Sequence, residues 1–353
     1  MKRRPLAILI GILLTSSAFA TDAPTTQPAP TPPPQPNSGP GGRDYPFADM
    51  VMHRYGDGDT QYWIFEPAKP TPEHAPVIIF CHGWGALSPN TYGAWIKHMA
   101  RRGNIVIAPR YQATLRTHMR DFTPNAIASL KSAFAELNKG KHVKPELDHV
   151  AIVGHSMGGA MAANLAALAP GDGLPVPKAI CCVEPDNVLR NYNNIQMPLA
   201  DLSAISPATL VQVVVGDIDM VAGDATAKNI FSLIPQIPKE KKNFITLVSD
   251  DHGQPELKAN HLAPVAMETV DPDPDPTTQS ADSRRMAVRQ WLEANSVDSM
   301  DFFGTWKLFD GLTDAAFFGK NIQYALGNTP EQRYMGKWSD GTPVKELKVI
   351  AQP

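Results

Sequence analysis

The sequence predicts an α/β protein built on a doubly wound, mostly parallel sheet with helices on both faces. Three observations predict it. A continuous apolar run at 76–81 fits a strand buried on both sides, and the largely apolar 209–215 reads as another buried strand. Segments of helix length alternate with such runs, the pattern that produces parallel βαβ units. One run, 149–153, leads through Gly154-His155-Ser156-Met157-Gly158 into a small-residue helical pattern at 159–168, so that a sharp turn joins strand to helix. With 353 residues, 43% of them hydrophobic, the chain can bury a large core as one domain.

The first residues are expected to lie outside that domain. Met1-Lys2-Arg3-Arg4 is a positive start, 6–14 is apolar but too short to span a bilayer, and Ala18-Phe19-Ala20 is an A-x-A cleavage site. A signal peptide over 1–20, cut after Ala20, implies a secreted or periplasmic protein. No cysteine lies near the cut, and no stable membrane anchor is expected. Loss of Lys2, Arg3 and Arg4 takes the formal net charge from −3 to −6; with no basic cluster, nucleic acid is excluded as a partner. Residues 21–42, rich in Pro, Thr and Gln, read as a disordered linker, and 43–353 as the folded domain.

Within the domain, 61–66 reads as an antiparallel edge strand and 76–81 as a buried parallel strand. The helix at 91–102 carries Trp95, Ile96 and Met99 at helical spacing. A strand at 104–109 and a helix at 124–137 follow, then strands at 179–183, 209–215 and 243–248 and helices at 221–234 and 283–294. The polar loop 187–206, with Asn191, Tyr192, Asn193 and Asn194, should rim the pocket. Alternating prolines at 271–276 give an extended, solvated loop rather than a calcium cage. At about 298–353 a helical extension carries Phe302, Phe303, Trp306, Phe309, Leu312 and Phe317. Packing onto the core is the expected role of that stripe; the alternative is the wall of an apolar acyl pocket. Cys81, Cys181 and Cys182 fall in core strands and read as buried thiols, a bridge from Cys81 to either of the others being the alternative.

The chemistry centres on Ser156. A turn between strand and helix lifts its hydroxyl off the sheet edge, and glycines on both sides avoid collision; the bland alternative is an ordinary turn serine. His82-Gly83-Trp84-Gly85 ends the 76–81 strand. There the Trp84 N–H, with the Met157 N–H, can meet a developing oxyanion, each donor being worth about 3–4 kcal/mol; otherwise the turn is a plain connection. An activated serine needs a base and an orienting acid. Asp219, in Gly216-Asp217-Ile218-Asp219, is chosen as the acid, with Asp217 as alternative and Asp186 third. Either aspartate could instead cap the helix opening near Asp224. His261 is chosen as the base because its longer loop can fold back over the sheet edge; His252, beside Asp251, is the alternative. His82 is placed to support the oxyanion turn. No metal-ligand spacing is present and no cofactor is expected.

Ser156, Asp219 and His261 occur in the order serine, acid, histidine. With the H-G-x-G turn and the G-H-S-M-G-G elbow, residues 45 to about 295 resemble an α/β-hydrolase. The branch resembled is the lidless one of dienelactone hydrolases, cutinase-like polyester hydrolases and platelet-activating-factor acetylhydrolases. The resemblance implies an eight-stranded, mostly parallel sheet and hydrolysis of carboxylic esters through an acyl-enzyme. Serine in the elbow argues against dienelactone hydrolysis proper, which uses cysteine. A serine peptidase or amidase, or an inactive binding protein on the same fold, are the rival functions. No residue distinguishes a small-molecule, lipid or polymer ester, or fixes an oligomeric state.

Overall fold

The computed structural model describes residues 28–189, 195–273, 297–351 and 353. The expected signal peptide, residues 21–27, the 283–294 helix and Asn191 to Asn194 lie outside them.

The strands are β1 (Asp49–Tyr55), β2 (Tyr62–Ala68), β3 (His74–Cys81), β4 (Ile105–Pro109), β5 (Lys144–His155), β6 (Ala179–Val183), a short hairpin of β7 (Val188–Leu189) and β8 (Ile195–Gln196), β9 (Leu210–Gly216), β10 (Lys242–Leu247) and β11 (Lys348–Ile350). All but the hairpin form one nine-stranded sheet in the order β1-β2-β4-β3-β5-β6-β9-β10-β11. The run from β4 to β10 is parallel; β1, β2 and β11 are antiparallel at the two edges.

Eight of these strands match the number expected. The ninth, β11, comes from the C-terminal extension and pairs Ile350 with Phe244, so the extension is not purely helical. The predicted edge strand is also one place inside the edge. β1 lies beyond it and is half-buried or exposed along its whole length, as suits an outer strand.

Helices cover both faces. α1 (Gly93–Arg101) packs on one face; α2 (Phe122–Leu137), α3 (Met157–Asp172) and α4 (Ala225–Ser232) pack on the other. α3 begins Met-Gly-Gly-Ala, and its small residues are buried almost without a break, which lets it lie close over the centre of the sheet. A π-helical turn, Met300–Thr305, runs into α5 (Trp306–Phe318), which joins α1 on the first face. Leu308, Phe309 and Leu312 are fully buried there, and Phe309 meets Trp95 edge-on at 6.4 Å. Each such side chain contributes roughly 1.5–3 kcal/mol. Trp306, Phe309, Leu312 and Phe317 pack into the core, as expected, while the half-buried Phe303 lines a cavity with Pro36, Pro40 and Tyr334. A last short helix, α6 (Pro330–Arg333), precedes β11. The three cysteines are free thiols buried in β3 and β6.

The expectation of a disordered linker through residue 42 fails for residues 28–42. An extended proline-rich chain has no internal hydrogen bonds to give up, and here the rest of the protein supplies them. The Ser339 N–H donates to the Thr31 carbonyl (3.0 Å), Gln254 N–H to Pro30 (2.8 Å) and Ser299 Oγ to Pro33 (3.0 Å). Pro33, Pro40 and Gly41 are buried. The Gly41 N–H donates at 2.7 Å to Asp310, a buried carboxylate on α5 that also faces His98 Nε2 at 2.9 Å and Arg102 Nε at 3.1 Å. Burial works against that charge, but Arg102 and His98 outweigh it and hold the carboxyl below its usual range. Asp310→Ala should therefore cost about 3 kcal/mol, since it strands two buried partners. Urea unfolding of the variant gives the value.

The acidic loop is pinned at its start, where Asp271 is buried, accepting from Trp63 Nε1 at 2.8 Å and pairing with Arg54 at 3.3 Å; Pro272 and Asp273 are exposed, and 274–276 lie outside the described residues.

Candidate active site

Ser156 sits between β5 and α3 with φ 56° and ψ −122°, a conformation that L residues rarely adopt. Its amide donates to the Val183 carbonyl at 2.9 Å, and its own carbonyl accepts from Gly159 (2.8 Å) and Asp186 (3.1 Å), so the turn is held from β6 and α3 together. Both elbow glycines are required by space. A Cβ on Gly154 would lie 2.1 Å from the Gly158 oxygen, and one on Gly158 would lie 2.0 Å from the Cys81 oxygen at the end of β3. Because the obstacle is backbone, Gly158→Ala should destabilise the fold by at least about 3 kcal/mol. A Tm close to that of the wild type would contradict this packing.

Asp219 follows β9. Its Oδ1 accepts from the Val221 and Ala222 N–H groups at 2.8 and 2.9 Å, and its Oδ2 lies 2.8 Å from His261 Nδ1. Burial alone would raise this carboxyl, yet the His261 hydrogen bond and the two backbone donors bring it below its usual range. The other ring nitrogen, His261 Nε2, lies 2.9 Å from Ser156 Oγ. The histidine loop reaches this place by lying across Gly216, where a Cβ would come within 2.2 Å of the Ala259 oxygen. Serine, histidine and aspartate are thus joined through the two faces of one imidazole.

The alternatives fall elsewhere. Asp217 clamps the loop after β10, accepting from Ser249 Oγ at 2.6 Å and Ser249 N–H at 3.0 Å. His252 pairs with Asp340 at 2.8 Å beside Trp338, away from Ser156. Asp186 accepts from Val188 N–H and Thr226 Oγ1.

Trp84 lies in the turn after β3, which is tightly held. The Gly83 N–H donates to Tyr92 Oη at 3.1 Å and the Gly85 N–H to Gln112 at 2.8 Å. A Cβ on Gly83 would sit 3.4 Å from that of Ser156, so this turn and the elbow are in contact. Met157 is the first residue of α3, where helical N–H groups have no intrahelical acceptor. His82 stacks on Tyr111 at 4.1 Å, and its burial pushes the imidazole down to about 4, so it is neutral at pH 7.

Glu184 is the residue that sequence reasoning missed. It follows β6 with φ 44°, is fully buried, and places Oε2 3.3 Å from His155 Nε2 and 3.6 Å from His261 Nδ1. Burial, with the nearby Asp219 charge, pushes its carboxyl well above the usual range. His155 is driven the other way, mainly by burial, and is neutral. Since Tyr92 Oη accepts from Gly83, its own hydrogen goes to His155 Nδ1 (2.8 Å), leaving the Nε2 proton for Glu184. A buried chain therefore runs from the β3 turn through Tyr92 and His155 to the carboxyl beside His261. The available clue was an acid directly after the apolar run Ala-Ile-Cys-Cys-Val. The ligand atoms of His155, Glu184 and His261 also converge within 4.8 Å.

A mostly parallel sheet, flanked by helices and carrying a nucleophile-type elbow after its central strand, is the α/β-hydrolase fold. The chlorophyllase family model matches residues 61–200, from β2 through the elbow to the loop after β8, and supports an esterase-like hydrolase. Methylphloroacetophenone synthase of Cladonia uncialis is 26% identical over 188 residues, covering 50% of this chain. The match spans only 7% of that protein's length. Among the described residues, no helix is long and apolar enough to cross a membrane.

Proposed function

We propose that the protein is a secreted or periplasmic serine hydrolase that cleaves carboxylic esters through an acyl-enzyme. The observation that carries this reading is the single imidazole of His261 standing between Ser156 Oγ and Asp219 Oδ2 at 2.9 and 2.8 Å. His261 Nε2 takes the Ser156 proton as Oγ attacks the ester carbonyl, and Asp219 holds Nδ1–H and stabilises the imidazolium. The Trp84 and Met157 N–H groups receive the oxyanion. The alcohol leaves with the proton from His261, and water, deprotonated by the same nitrogen, releases the acid.

An apolar ester is the favoured substrate class. Ile218, Met220 and Val221 flank Asp219 and are exposed, Met220 at 93%, an arrangement suited to a hydrophobic acyl or alcohol group. The match to the chlorophyllase model adds chlorophyll to the esters worth testing. Hydrolysis of p-nitrophenyl acetate through palmitate, alongside chlorophyll, tests the reading. Inertness on every ester would overturn it and bring forward a peptidase, an amidase or a binding protein. Met220→Ser should raise KM severalfold on long acyl chains and leave the acetate ester unchanged; an equal change on both would remove the apolar rim from the account.

A further inference from the structure

A second convergence of metal-ligating side chains lies at the opposite end of the sheet. His53 on β1 pairs with Ile64 and Glu66 on β2 pairs with Val51, so the two share one face as diagonal neighbours. His142, from the connection between α2 and β5, closes over them. His142 Nδ1 lies 2.8 Å and His53 Nε2 3.1 Å from the same oxygen, Glu66 Oε2. All three ligand atoms lie within 4.8 Å of one another. β2 runs antiparallel to β4, with Phe65 opposite Val106. Glu66 is therefore at the amino ends of the parallel strands, whereas Ser156 is at the carboxyl end of β5.

The remaining atoms of these side chains are already held in the manner a metal site requires. Glu66 Oε1 accepts the Val143 N–H at 2.6 Å, leaving Oε2 to face both rings. His142 Nε2 lies 3.0 Å from the Tyr55 hydroxyl. With a cation on Nδ1, that nitrogen carries the proton and donates to Tyr55, the outer contact that orients metal-bound histidines. Both ion-pair partners of Glu66 within 4 Å are histidines. The side chains of Glu66 and His142 are 7% and 2% exposed, while that of His53 is 36% exposed, so the cluster is closed on the protein side and open to water on the other.

We propose that His53, Glu66 and His142 form a three-ligand Zn²⁺ site with water in the fourth position. Two imidazoles, a carboxylate and a water are a donor set that zinc takes in tetrahedral geometry. Bonds of about 2.0–2.1 Å place tetrahedral donors roughly 3.3 Å apart, so the two carboxylate–imidazole spacings need to open by only a few tenths of an ångström, and the two ring nitrogens, within 4.8 Å of each other, settle at the same separation. Metal ligands bind in their deprotonated forms, so uptake of the ion releases protons and its affinity depends on pH. Bound there, it ties the β1–β2 edge to the connection that leads into the central strand.

The test is calorimetric titration of the EDTA-stripped, dialysed full chain with zinc sulfate, and with cobalt(II) as an optical probe. One equivalent should bind at micromolar zinc, raise Tm and give the visible bands of four-coordinate cobalt. His53→Ala, a half-exposed change that leaves the fold and ester hydrolysis intact, should weaken binding at least tenfold, and Glu66→Gln should do the same. His261→Ala should keep the equivalent, which separates this site from the His155, Glu184 and His261 cluster. The proposal is overturned if the wild type shows no saturable zinc binding. It is equally overturned if the equivalent survives His53→Ala, or is lost only in His261→Ala.

Discussion

Ser156→Ala is expected to lower kcat/KM on an ester by about 10⁴- to 10⁶-fold, the scale on which removal of an activated serine acts. His261→Ala should cost about as much, and the double variant little more, because the two groups act as one unit. Stability should separate from activity at this position. Ser156 holds φ 56° and ψ −122°, which glycine adopts readily and alanine does not. Ser156→Gly should therefore be as inactive as Ser156→Ala but more stable than it by about 1–3 kcal/mol, the strain that such a backbone stores. Reaction with a fluorophosphonate and urea unfolding read the two effects independently. Rapid labelling of the alanine variant, or equal stability of the two, would refute the respective half of this expectation.

Glu184 gives the second large effect, and its sign depends on pH. The folded protein keeps the Glu184 proton at pH values where the unfolded chain, with an ordinary value near 4.5, has released it. Over that window the native state binds more protons, so this group's contribution to stability is full below the unfolded value. It is lost as pH rises toward the raised one, at up to about 1.4 kcal/mol per pH unit. Glu184→Gln keeps the shape and the neutrality without that loss. Its stability relative to wild type should therefore climb from pH 4.5 upward, while kcat/KM changes by less than about tenfold, about 1.4 kcal/mol. Glu184→Ala instead leaves the His155 donor without its acceptor and opens a cavity, at a cost of about 2–4 kcal/mol. Parallel pH–stability curves for Glu184→Gln and wild type would show that the carboxyl is ionised in the folded protein.

The strands at the centre of the sheet were legible because burial on both faces selects largely apolar runs. That is why the cores of β3, β6 and β9 lie where the sequence put them, and Phe244, Ile245 and Leu247 mark β10. β11 was not legible: three residues, Lys-Val-Ile, carry no period, and only the free edge of β10 makes them a strand. The ordered course of residues 28–42 was hidden for a related reason. Proline-rich composition reports what a segment cannot do alone, and here the partners lie some three hundred residues away. At the site, the strand ends expose Ser156, Asp219 and His261 to pattern reading. Glu184 escaped because its importance comes from burial beside two histidines, which no spacing along the chain encodes.

The proline-rich strap has a consequence for how the chain reaches its final state. Thr31 exchanges hydrogen bonds with Ser339, and the Gly41 N–H donates to Asp310, so the opening segment is sewn to the C-terminal extension. Closing a contact over that separation is entropically slow. It also has to wait until residue 339 has been synthesised, long after the central strands can pair. A truncation before residue 298 that spares every residue around Ser156 therefore removes the Ser299, Asp310 and Ser339 contacts and leaves Pro30 held from Gln254 and Gly39 from Arg102.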